Sequence, residues 1–308
     1  MKIKILAVAS VVALCSGLCF GAFTSGDAGT SAAQFLTMGV GARAAGMGEA
    51  FAGMADDSTA IYWNPAGLNR IEGKSLSLMS AVWFEGISYD WASYAQKIEN
   101  IGTFGIGVQY LSYGAITKTD DTGLDIGSFS PTDLAVSLSY AREFSRLNLG
   151  MNIKYISSTI TKSASAGAID IGAMYPLMDE KLWLGAAVQN IGIGAEMQFI
   201  DKADPLPMNI KVGGAFALRP NWKIALDVNA PIDNNVNVGA GTEYGYEIND
   251  KMSAAGRLGY NTTPGDTGGL NGVSAGAGFT YLNYCIDYAF VPYGDLGNTQ
   301  RISLSVKF

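Results

Sequence analysis

The chain has 308 residues, of which 15% are charged and 48% are hydrophobic, and it contains no histidine. So few charges are unsuited to the surface of an ordinary soluble domain, and the formal net charge of −7 argues against a nucleic-acid partner. Without histidine, Ser-His-Asp and Cys-His catalysis and His-ligated zinc or haem are excluded, so composition favours a protein that is not an enzyme.

Residues 1–22 have the pattern of a secretory signal peptide. Two lysines precede the apolar run Ile5–Leu18, which is too short to span a bilayer as a helix, and small residues follow near Ala22. A lipoprotein signal is the weaker alternative, because a leucine precedes both Cys15 and Cys19, where a small residue is expected. We therefore expect an exported protein whose one remaining cysteine, Cys285, has no intramolecular partner.

Residues 23–72 form a separate N-terminal segment that is rich in glycine and lacks a sustained period. Gly39, Gly41 and Gly46 could suggest a nucleotide-binding loop. Their spacing is G-x-G-x-x-x-x-G, however, and no strand–helix pattern surrounds them. We therefore predict no nucleotide site here.

From about residue 74 onwards, apolar residues recur with period two, which predicts β-strands. Leu149, Met151 and Ile153, for example, alternate with small or polar residues. The second face is mainly Gly, Ser, Asn and Ala, which suits a narrow lumen while the apolar face turns to lipid. We predict an all-β fold, a transmembrane antiparallel β-barrel of about 14 strands in the outer membrane, over residues 73–308. The predicted strands are 74–84, 87–98, 102–114, 132–142, 148–160, 167–176, 182–191, 209–218, 222–230, 236–247, 252–260, 273–281, 284–291 and 301–308.

These faces can be tested at two neighbouring positions. Ile153→Arg would place a charge in lipid and should cost roughly 2–4 kcal/mol, whereas Asn152→Arg in the lumen should cost much less. Equal tolerance of both substitutions would contradict the predicted faces.

The predicted connections alternate in length, as in outer-membrane barrels with short periplasmic turns and long outer loops. Short connections include 99–101 and 219–221, and long ones include 115–131 and 192–208. The first hairpin is an exception, because only Glu85–Gly86 lie at its tip.

Residues that could carry chemistry are scarce. Asp287 is predicted to face the lumen and to pair with Arg301 or Lys307 on the adjacent final strand. Cys285 has no activating partner in the sequence, so we predict no catalytic residue and no cofactor. One acidic loop group could bind calcium, but EF-hand spacing and its terminal Glu are absent, so we favour a solvated loop and predict no metal site. That group comprises Asp120, Asp121 and Asp125.

Two parts of the sequence carry a family resemblance. They comprise GVGARAAGMG at residues 39–48, ADDS at 55–58, YWNPAGL at 62–68, IDYA at 286–289, Leu296-Gly297 and RISL at 301–304. In these motifs the chain resembles the PorV/PorQ family, part of the wider FadL-like outer-membrane superfamily. Gln300 departs from the family pattern, which usually has a histidine there. The resemblance implies the same barrel, with residues 23–72 folded into or across its lumen as a plug.

The resemblance also implies a function. It indicates a non-enzymatic accessory or interaction barrel in type IX-like protein secretion, which contacts secretion components or cargo through loops 115–131 and 192–208. The alternative is a FadL-like passive conduit for hydrophobic small molecules, and a soluble β-rich binding protein is a third alternative. In both barrel interpretations, the protein is also expected to contact outer-membrane lipid and the barrel-assembly machinery. A conduit would need an apolar pocket behind the plug, and its candidate lining residues are Met38, Met47 and Met54.

Arg43 is the one basic residue in the first family-like part of the chain. A guanidinium buried in a barrel requires carboxylate partners, and arginine can hold a carboxylate through two hydrogen bonds. We predict that Arg43 pins the plug, whereas the competing interpretation leaves it solvated at the periplasmic mouth. The candidate partners are Asp56, Asp57, Glu243 and Asp227.

Two further positions complete the predictions. The Asn64-Pro65 step should start a turn or helix that ends the plug and directs Leu68 into the first strand. Phe308 is predicted to be the assembly signal, because the last strand has alternating apolar residues and ends in this aromatic residue. The predicted plug or gate residues are thus Arg43, Asp56, Asp57, Asn64 and Pro65.

Overall fold

The computed structural model describes residues 24–194, 196–200, 202–262 and 271–308. The predicted signal peptide, residues 1–22, lies outside the described residues. In chain order, the strands are β1 (Lys74–Val82), β2 (Ser88–Ile98), β3 (Gly102–Ser112), β4 (Ile116–Thr119), β5 (Asp125–Phe129), β6 (Thr132–Phe144), β7 (Leu147–Thr159), β8 (Ser163–Leu177), β9 (Leu182–Ile193), β10 (Met197–Gln198), β11 (Ala203–Asp204), β12 (Asn209–Arg219), β13 (Trp222–Pro231), β14 (Asn237–Asn249), β15 (Met252–Asn261), β16 (Val273–Tyr281), β17 (Tyr284–Pro292) and β18 (Asn298–Lys307).

Fourteen of these strands close into one antiparallel barrel, which confirms the predicted fold class. The other four form two small hairpins, β4–β5 and β10–β11. β18 returns to pair with β1, where Ser75 lies opposite Lys307. Among the described residues, each barrel strand has a partner on both sides, so the barrel has no free edge strand that would expose unpaired backbone groups.

The predicted strand limits agree with the observed ones to within a few residues. The largest difference is at β8, which begins at Ser163 rather than at residue 167. Residues 163–167 are only Ser, Ala and Gly, so they carry no apolar face that period-two alternation could reveal.

The two faces of the strands follow the period of the sequence. On β7, the side chain of Ile153 is 52% exposed on the outer surface, whereas Asn152 is fully buried toward the lumen. Leu138, Leu226 and Ile302 are exposed on the outside in the same way. An apolar exterior of this kind suits contact with the hydrocarbon of a bilayer.

The connections define two ends of the barrel. Short turns join β2 to β3, β6 to β7, β8 to β9, β12 to β13, β14 to β15 and β16 to β17 at the end that we name the turn end. The opposite end, the loop end, carries both small hairpins and the connections that follow β13, β15 and β17. The connection after β1 contains a short 3-10 turn, Phe84–Gly86.

Residues 34–71, which we name the lumen segment, lie inside the barrel and contact all fourteen of its strands. The segment contains the helices α1 (Ala42–Ala45) and α2 (Ala60–Trp63) and the 3-10 turns Gln34–Thr37 and Pro65–Arg70. No helix among the described residues is long and apolar enough to cross a bilayer. The buried hydrophobic core lies within the barrel and draws heavily on this segment, including Phe51, Ile61, Trp63 and Leu68.

Two glycines of the wall show how closely the segment approaches it. A Cβ atom at Gly185 on β9 would overlap the carbonyl oxygen of Ala52, and one at Gly150 on β7 would overlap the backbone of Pro65. Only glycine permits such an approach of two backbones. The small residues on the inner face are therefore part of the packing between wall and segment.

The passage from the segment into the barrel differs from the prediction. Leu68 lies fully buried in the 3-10 turn Pro65–Arg70, and the first strand begins only at Lys74. The Asn64 side chain accepts a hydrogen bond from the Ala66 N–H at 3.2 Å, and Pro65 occupies the first position of the turn. This N-cap and the fixed φ of proline start a helical turn that carries Leu68 into the core.

Candidate functional site

A chain of charged side chains crosses the lumen from the wall to the lumen segment. Asp287 on β17 lies 2.7 Å from Arg257 Nη1 on β15, and Arg257 Nε lies 2.7 Å from Glu243 Oε2 on β14. Glu243 holds Arg43 of the lumen segment through two hydrogen bonds, of 2.8 and 2.9 Å. Arg43 Nη1 lies 2.5 Å from Asp56 Oδ1. We name these five residues, with Asp57, the charge chain.

The far end of the charge chain has further cations nearby. Asp56 Oδ2 lies 3.8 Å from Lys223 Nζ on β13 and 3.9 Å from Arg70 Nη2. Arg70 also donates hydrogen bonds to the carbonyl groups of residues 53–55 and lies over the ring of Trp183, 4.4 Å from its centroid. The acidic groups thus have several basic partners, which offsets the cost of desolvating them.

The structure brings Arg43 to three of its four candidate partners. These are Glu243, Asp56 and Asp57, the last at 3.4 Å. The fourth, Asp227, instead accepts hydrogen bonds of 2.8 Å from the backbone N–H groups of Phe51 and Ala52. The contacts are those that a pinning role requires, and the role itself stays a prediction.

The predicted pair of Asp287 with Arg301 or Lys307 is not formed. Arg301 donates to the Gly39 carbonyl at 2.9 Å and lies 3.3 Å from Glu49 Oε1, while Asp287 binds Arg257. Strand register explains the difference, because Asp287 lies opposite Ser303 and not opposite Arg301. Gly278, between Asp287 and Arg257, has no side chain that would separate them.

Asn64 and Pro65 tie the lumen segment to the wall. The Asn64 Nδ2 group donates to the carbonyl oxygens of Ala52, at 3.0 Å, and of Ala173 on β8, at 3.2 Å. Pro65 packs against Gly150 and Gly172 on the neighbouring strands β7 and β8. Both residues therefore lie in the contact between segment and wall, and their part in gating remains a proposal.

Sequence reasoning missed a second charged pair. Lys154 Nζ on β7 lies 2.7 Å from Asp170 Oδ2 on β8, with side chains that are only 3% and 0% exposed. Asn152 donates to the same carboxylate at 2.7 Å and to the Ile61 carbonyl at 2.6 Å. Period two places these side chains on the inner face, but their contact depends on strand register. Since Asn152 is packed rather than solvated, we now expect Asn152→Arg also to be costly.

A cavity of about 390 Å³ lies at the loop end of the lumen. Asparagine is its commonest lining residue, and Lys211, Glu49 and Arg301 also line it, together with the aromatic residues Tyr62 and Trp63. Of the three methionines proposed to line an apolar pocket, Met38 lines this cavity. Met47 and Met54 are instead buried in the hydrophobic core.

The remaining predicted positions are Phe308 and Cys285. Phe308 continues β18, exchanging backbone hydrogen bonds of 2.7 and 3.0 Å with Lys74, and its ring is exposed. Its role in assembly stays a prediction. The Cys285 thiol lies 3.5 Å from Asp287 Oδ2.

The acidic loop is organised by its own hydrogen bonds. Asp120 Oδ1 accepts from the Thr122 hydroxyl at 2.7 Å and from the backbone N–H groups of Thr122 and Leu124, each at 2.9 Å. The Thr122 hydroxyl first, and then these N–H groups, lower the pKa of Asp120. Among the described residues, no cluster of three or more Cys, Asp or Glu side chains is arranged to hold a metal ion.

Comparison with known proteins identifies a family model. The family described as "Type IX secretion system protein PorV" matches residues 24–238 of the chain. No curated protein matches the sequence.

Solved structures with the same architecture include two toluene transporters. TbuX of Ralstonia pickettii is 15% identical, with a TM-score of 0.59 over 88% of this chain and 98% of that chain. TodX of Pseudomonas putida is 14% identical, with a TM-score of 0.57 over 87% and 96%. A FadL homologue of Pseudomonas aeruginosa is 14% identical, with a TM-score of 0.53 over 86% and 97%. At these identities the likeness shows the fold alone.

Proposed function

Since the chain belongs to the PorV family of type IX secretion system proteins, we propose that it is a non-enzymatic accessory barrel of protein secretion in the outer membrane. In this proposal, residues 1–22 direct export and the barrel-assembly machinery inserts the barrel. The loop end faces outward, as the long loops of outer-membrane barrels do, and contacts secretion components or cargo.

The observation that carries the proposal is the filled lumen. The lumen segment contacts all fourteen barrel strands, and the charge chain and the hydrogen bond from Asn152 to the Ile61 carbonyl join it to the wall. A barrel packed in this way is poorly suited to act as an open pore. Its surface is therefore the better candidate for the part that contacts secretion components or cargo.

The β4–β5 hairpin supplies a surface for a partner. All but one of its strand residues are exposed, and it presents the apolar side chains of Leu124 and Ile126, which are 66% and 51% exposed. An isolated two-stranded hairpin is marginally stable in water, and exposed apolar side chains at such a site favour protein contact. We propose that this hairpin docks against a secretion component.

The test is quantitative co-purification from native membranes with a tagged chain. We expect secretion components to co-purify with the wild type, and the double variant Leu124→Ser/Ile126→Ser to lose them by about tenfold. Val236→Ser is the matched control, because Val236 is 51% exposed at the same end of the barrel. Absence of secretion components from the wild-type eluate would refute the proposal, and unchanged recovery by the double variant would refute the hairpin's part in it.

The alternative is a FadL-like conduit for hydrophobic small molecules, which the fold of the toluene transporters favours. It requires the lumen segment to move, because Met47 and Met54 are packed in the core rather than around a passage. Uptake of toluene into vesicles that contain the wild-type barrel, faster than into protein-free vesicles, would favour the conduit. Equal uptake would reject it.

A further inference from the structure

One carboxylate lies on the outer face of the barrel wall. Asp90 on β2 alternates with Tyr89 and Trp91, which are 0% and 3% exposed and contact the lumen segment. The other acidic residues of the described barrel strands occupy inward positions of the alternation; they are Asp133, Glu143, Asp170, Asp227, Glu243, Glu247 and Asp287. An ionisable side chain on a surface that faces lipid is rare and indicates a functional contact.

Asp90 has no partner within the described part of the barrel. It forms no hydrogen bond or ion pair with any described residue, and its side chain is half-buried rather than enclosed. Its neighbours across the sheet are Ser80 on β1 and Tyr110 on β3. The carboxylate is therefore open to a cation that approaches from the membrane.

A groove of about 600 Å³ lies beside Asp90 on the same outer face. It forms because Ser80 and Ala92 are small and have larger neighbours. The aliphatic side chains around the groove are Leu78, Val108, Ile302 and Leu304. A lining of this kind suits a hydrocarbon chain, which gains dispersion contacts on every side of the groove.

The chemistry of the outer face changes in order along these strands. The row one step toward the turn end from Asp90 is apolar and consists of Leu304, Leu78, Ala92 and Val108. The row one step toward the loop end is mostly polar and consists of Gln300, Val82, Ser88 and Ser112. Asp90 thus lies at the border of the apolar band, where the acyl chains of a bilayer give way to its head groups.

We propose that this site binds a membrane lipid whose head group carries a primary ammonium. One acyl chain lies in the groove, and the ammonium contacts the Asp90 carboxylate through a charge-assisted hydrogen bond. The hydroxyl groups of Ser88 and Tyr110 are donors for the phosphate or ester oxygens of the same head group.

Other occupants satisfy fewer of these groups. A hydrocarbon leaves Asp90 without a cation, and an anionic head group is repelled by it. A second copy of the chain, docked through the same face, would bring two Asp90 carboxylates into one interface. A partner protein could supply a lysine or arginine, but the order of apolar, charged and polar rows matches a single lipid molecule. A protein is therefore an outcome of the test.

The test is native mass spectrometry of the full barrel, delipidated in a non-ionic detergent. Phosphatidylethanolamine, phosphatidylcholine and phosphatidylglycerol with identical acyl chains are offered in equal amounts. The first has a cation with N–H donors, the second has a cation without them, and the third has no cation. We expect the wild type to retain phosphatidylethanolamine over phosphatidylglycerol by about tenfold, with phosphatidylcholine between them.

Two variants locate the binding. Asp90→Asn keeps the shape of the side chain without its charge and should abolish the preference for phosphatidylethanolamine. Ala92→Phe fills the groove and should lower retention of this lipid by about threefold or more. Ala240→Phe is the matched control, because Ala240 lies beside the exposed Leu226 on the outer face of β14, remote from β2 in the barrel. It should retain lipid as the wild type does.

Equal retention of the three lipids by the wild type would overturn the proposal and leave the groove to a protein partner. So would a preference that Asp90→Asn leaves unchanged, or a loss in Ala92→Phe no larger than in Ala240→Phe. Heat-modifiable migration shows whether each variant is folded, and Ala92→Phe decides if Asp90→Asn does not fold. The purified barrel is measured without secretion components, so failure here leaves the proposed function standing.

Discussion

The two halves of the lumen are built from different kinds of polar group. Toward the middle and the turn end, charged side chains find partners at 2.5–2.9 Å, as Arg43 does with Asp56 and Glu243. At the loop end, asparagine is the commonest residue around the cavity, and carboxamides pair with each other, as Asn209 does with Gln189 and Asn229 with Asn237. In the first half, charged groups of the wall contact charged groups of the lumen segment, whereas in the second half neutral amides surround a cavity.

This difference separates two kinds of polar residue, charged residues and amides, which the alternation places on the same inner face. Removing one member of a buried ion pair is destabilising mainly because the other member is left as an uncompensated charge. An amide beside a cavity carries no charge, so its removal leaves no uncompensated charge behind. Substitutions of charged residues in the packed half should therefore cost more stability than substitutions of the amides at the cavity.

The largest effect on the packed half is expected from Lys154→Met. It leaves Asp170, which is fully buried, without its cation, and should lower the free energy of unfolding by about 3–5 kcal/mol. The measurement is urea unfolding in lipid vesicles. The double variant Lys154→Met/Asp170→Asn removes both charges and should recover most of the loss. A single variant as stable as the wild type would show that this pair does not stabilise the barrel.

The next largest effect is expected from Arg43→Ala. It removes the cation shared by three carboxylates whose side chains are 10–18% exposed, and should cost about 3 kcal/mol in the attachment of the lumen segment. The barrel should stay inserted while protease cleavage within residues 34–71 and single-channel conductance both rise.

Lys202→Ala is the control for Arg43→Ala. It breaks the pair with Asp204, whose side chain is 36% exposed while that of Lys202 is 85% exposed, and such pairs contribute under about 1 kcal/mol. If protease cleavage and conductance of Arg43→Ala match those of Lys202→Ala, Arg43 does not pin the segment.

Ile153→Arg tests the wall rather than the lumen. Its side chain is 52% exposed on the outer face, and an arginine there should cost roughly 2–4 kcal/mol near the bilayer midplane. Ile126→Arg is the control, since Ile126 is 51% exposed in the β4–β5 hairpin beyond the barrel wall. Insertion yield and urea unfolding compare the two, and an equal loss in both would mean that exposure, not lipid, sets the cost.

The wall was predictable from sequence because period two is a local signal. The alternation within a single strand predicts which side chains face outward and which face inward, whatever the neighbouring strands are. On β7, Ile153 and Asn152 are an example. β8 shows the limit of this signal, since its first residues are too small to distinguish an apolar face from a polar one.

The lumen contacts were predictable only in part. That Arg43 needs carboxylates follows from the cost of a buried charge. Which carboxylate it reaches follows from register and from the path of the segment, which no local pattern encodes. Arg301 and Asp287 were therefore paired wrongly, and Lys154 with Asp170 was missed. The carboxamides around the loop-end cavity were likewise hidden, because they lie on strands separated by loops of different length; they are Gln189, Asn209, Asn229 and Asn237.

Gly185→Ala tests the close approach of the segment to the wall. The added Cβ would overlap the Ala52 carbonyl, and overpacking of this kind costs about 1–3 kcal/mol. Gly256→Ala is the matched control, because a Cβ there meets nothing within 4 Å. Urea unfolding and cleavage within residues 34–71 should change for Gly185→Ala alone. A loss of equal size in both variants would indicate a general effect of strand glycines.

The smallest effect is expected outside the lumen, at Asp120, whose pKa is lowered by hydrogen bonds from the Thr122 hydroxyl and from backbone N–H groups. A carboxyl group whose pKa is lower in the folded loop than in an unfolded chain, where it is about 3.9, stabilises the loop above that pH. The contribution is lost as the pH falls through the folded pKa. A carbon NMR titration of the Asp120 carboxyl should therefore give a pKa below about 3.9. At neutral pH, Asp120→Ala should speed hydrogen exchange at the Leu124 amide, while Asp120→Asn, which keeps an acceptor oxygen, should do so less. Neither variant should change the lumen segment, because the hairpin lies beyond the barrel. A pKa at or above the unfolded value would show that these hydrogen bonds do not organise the loop.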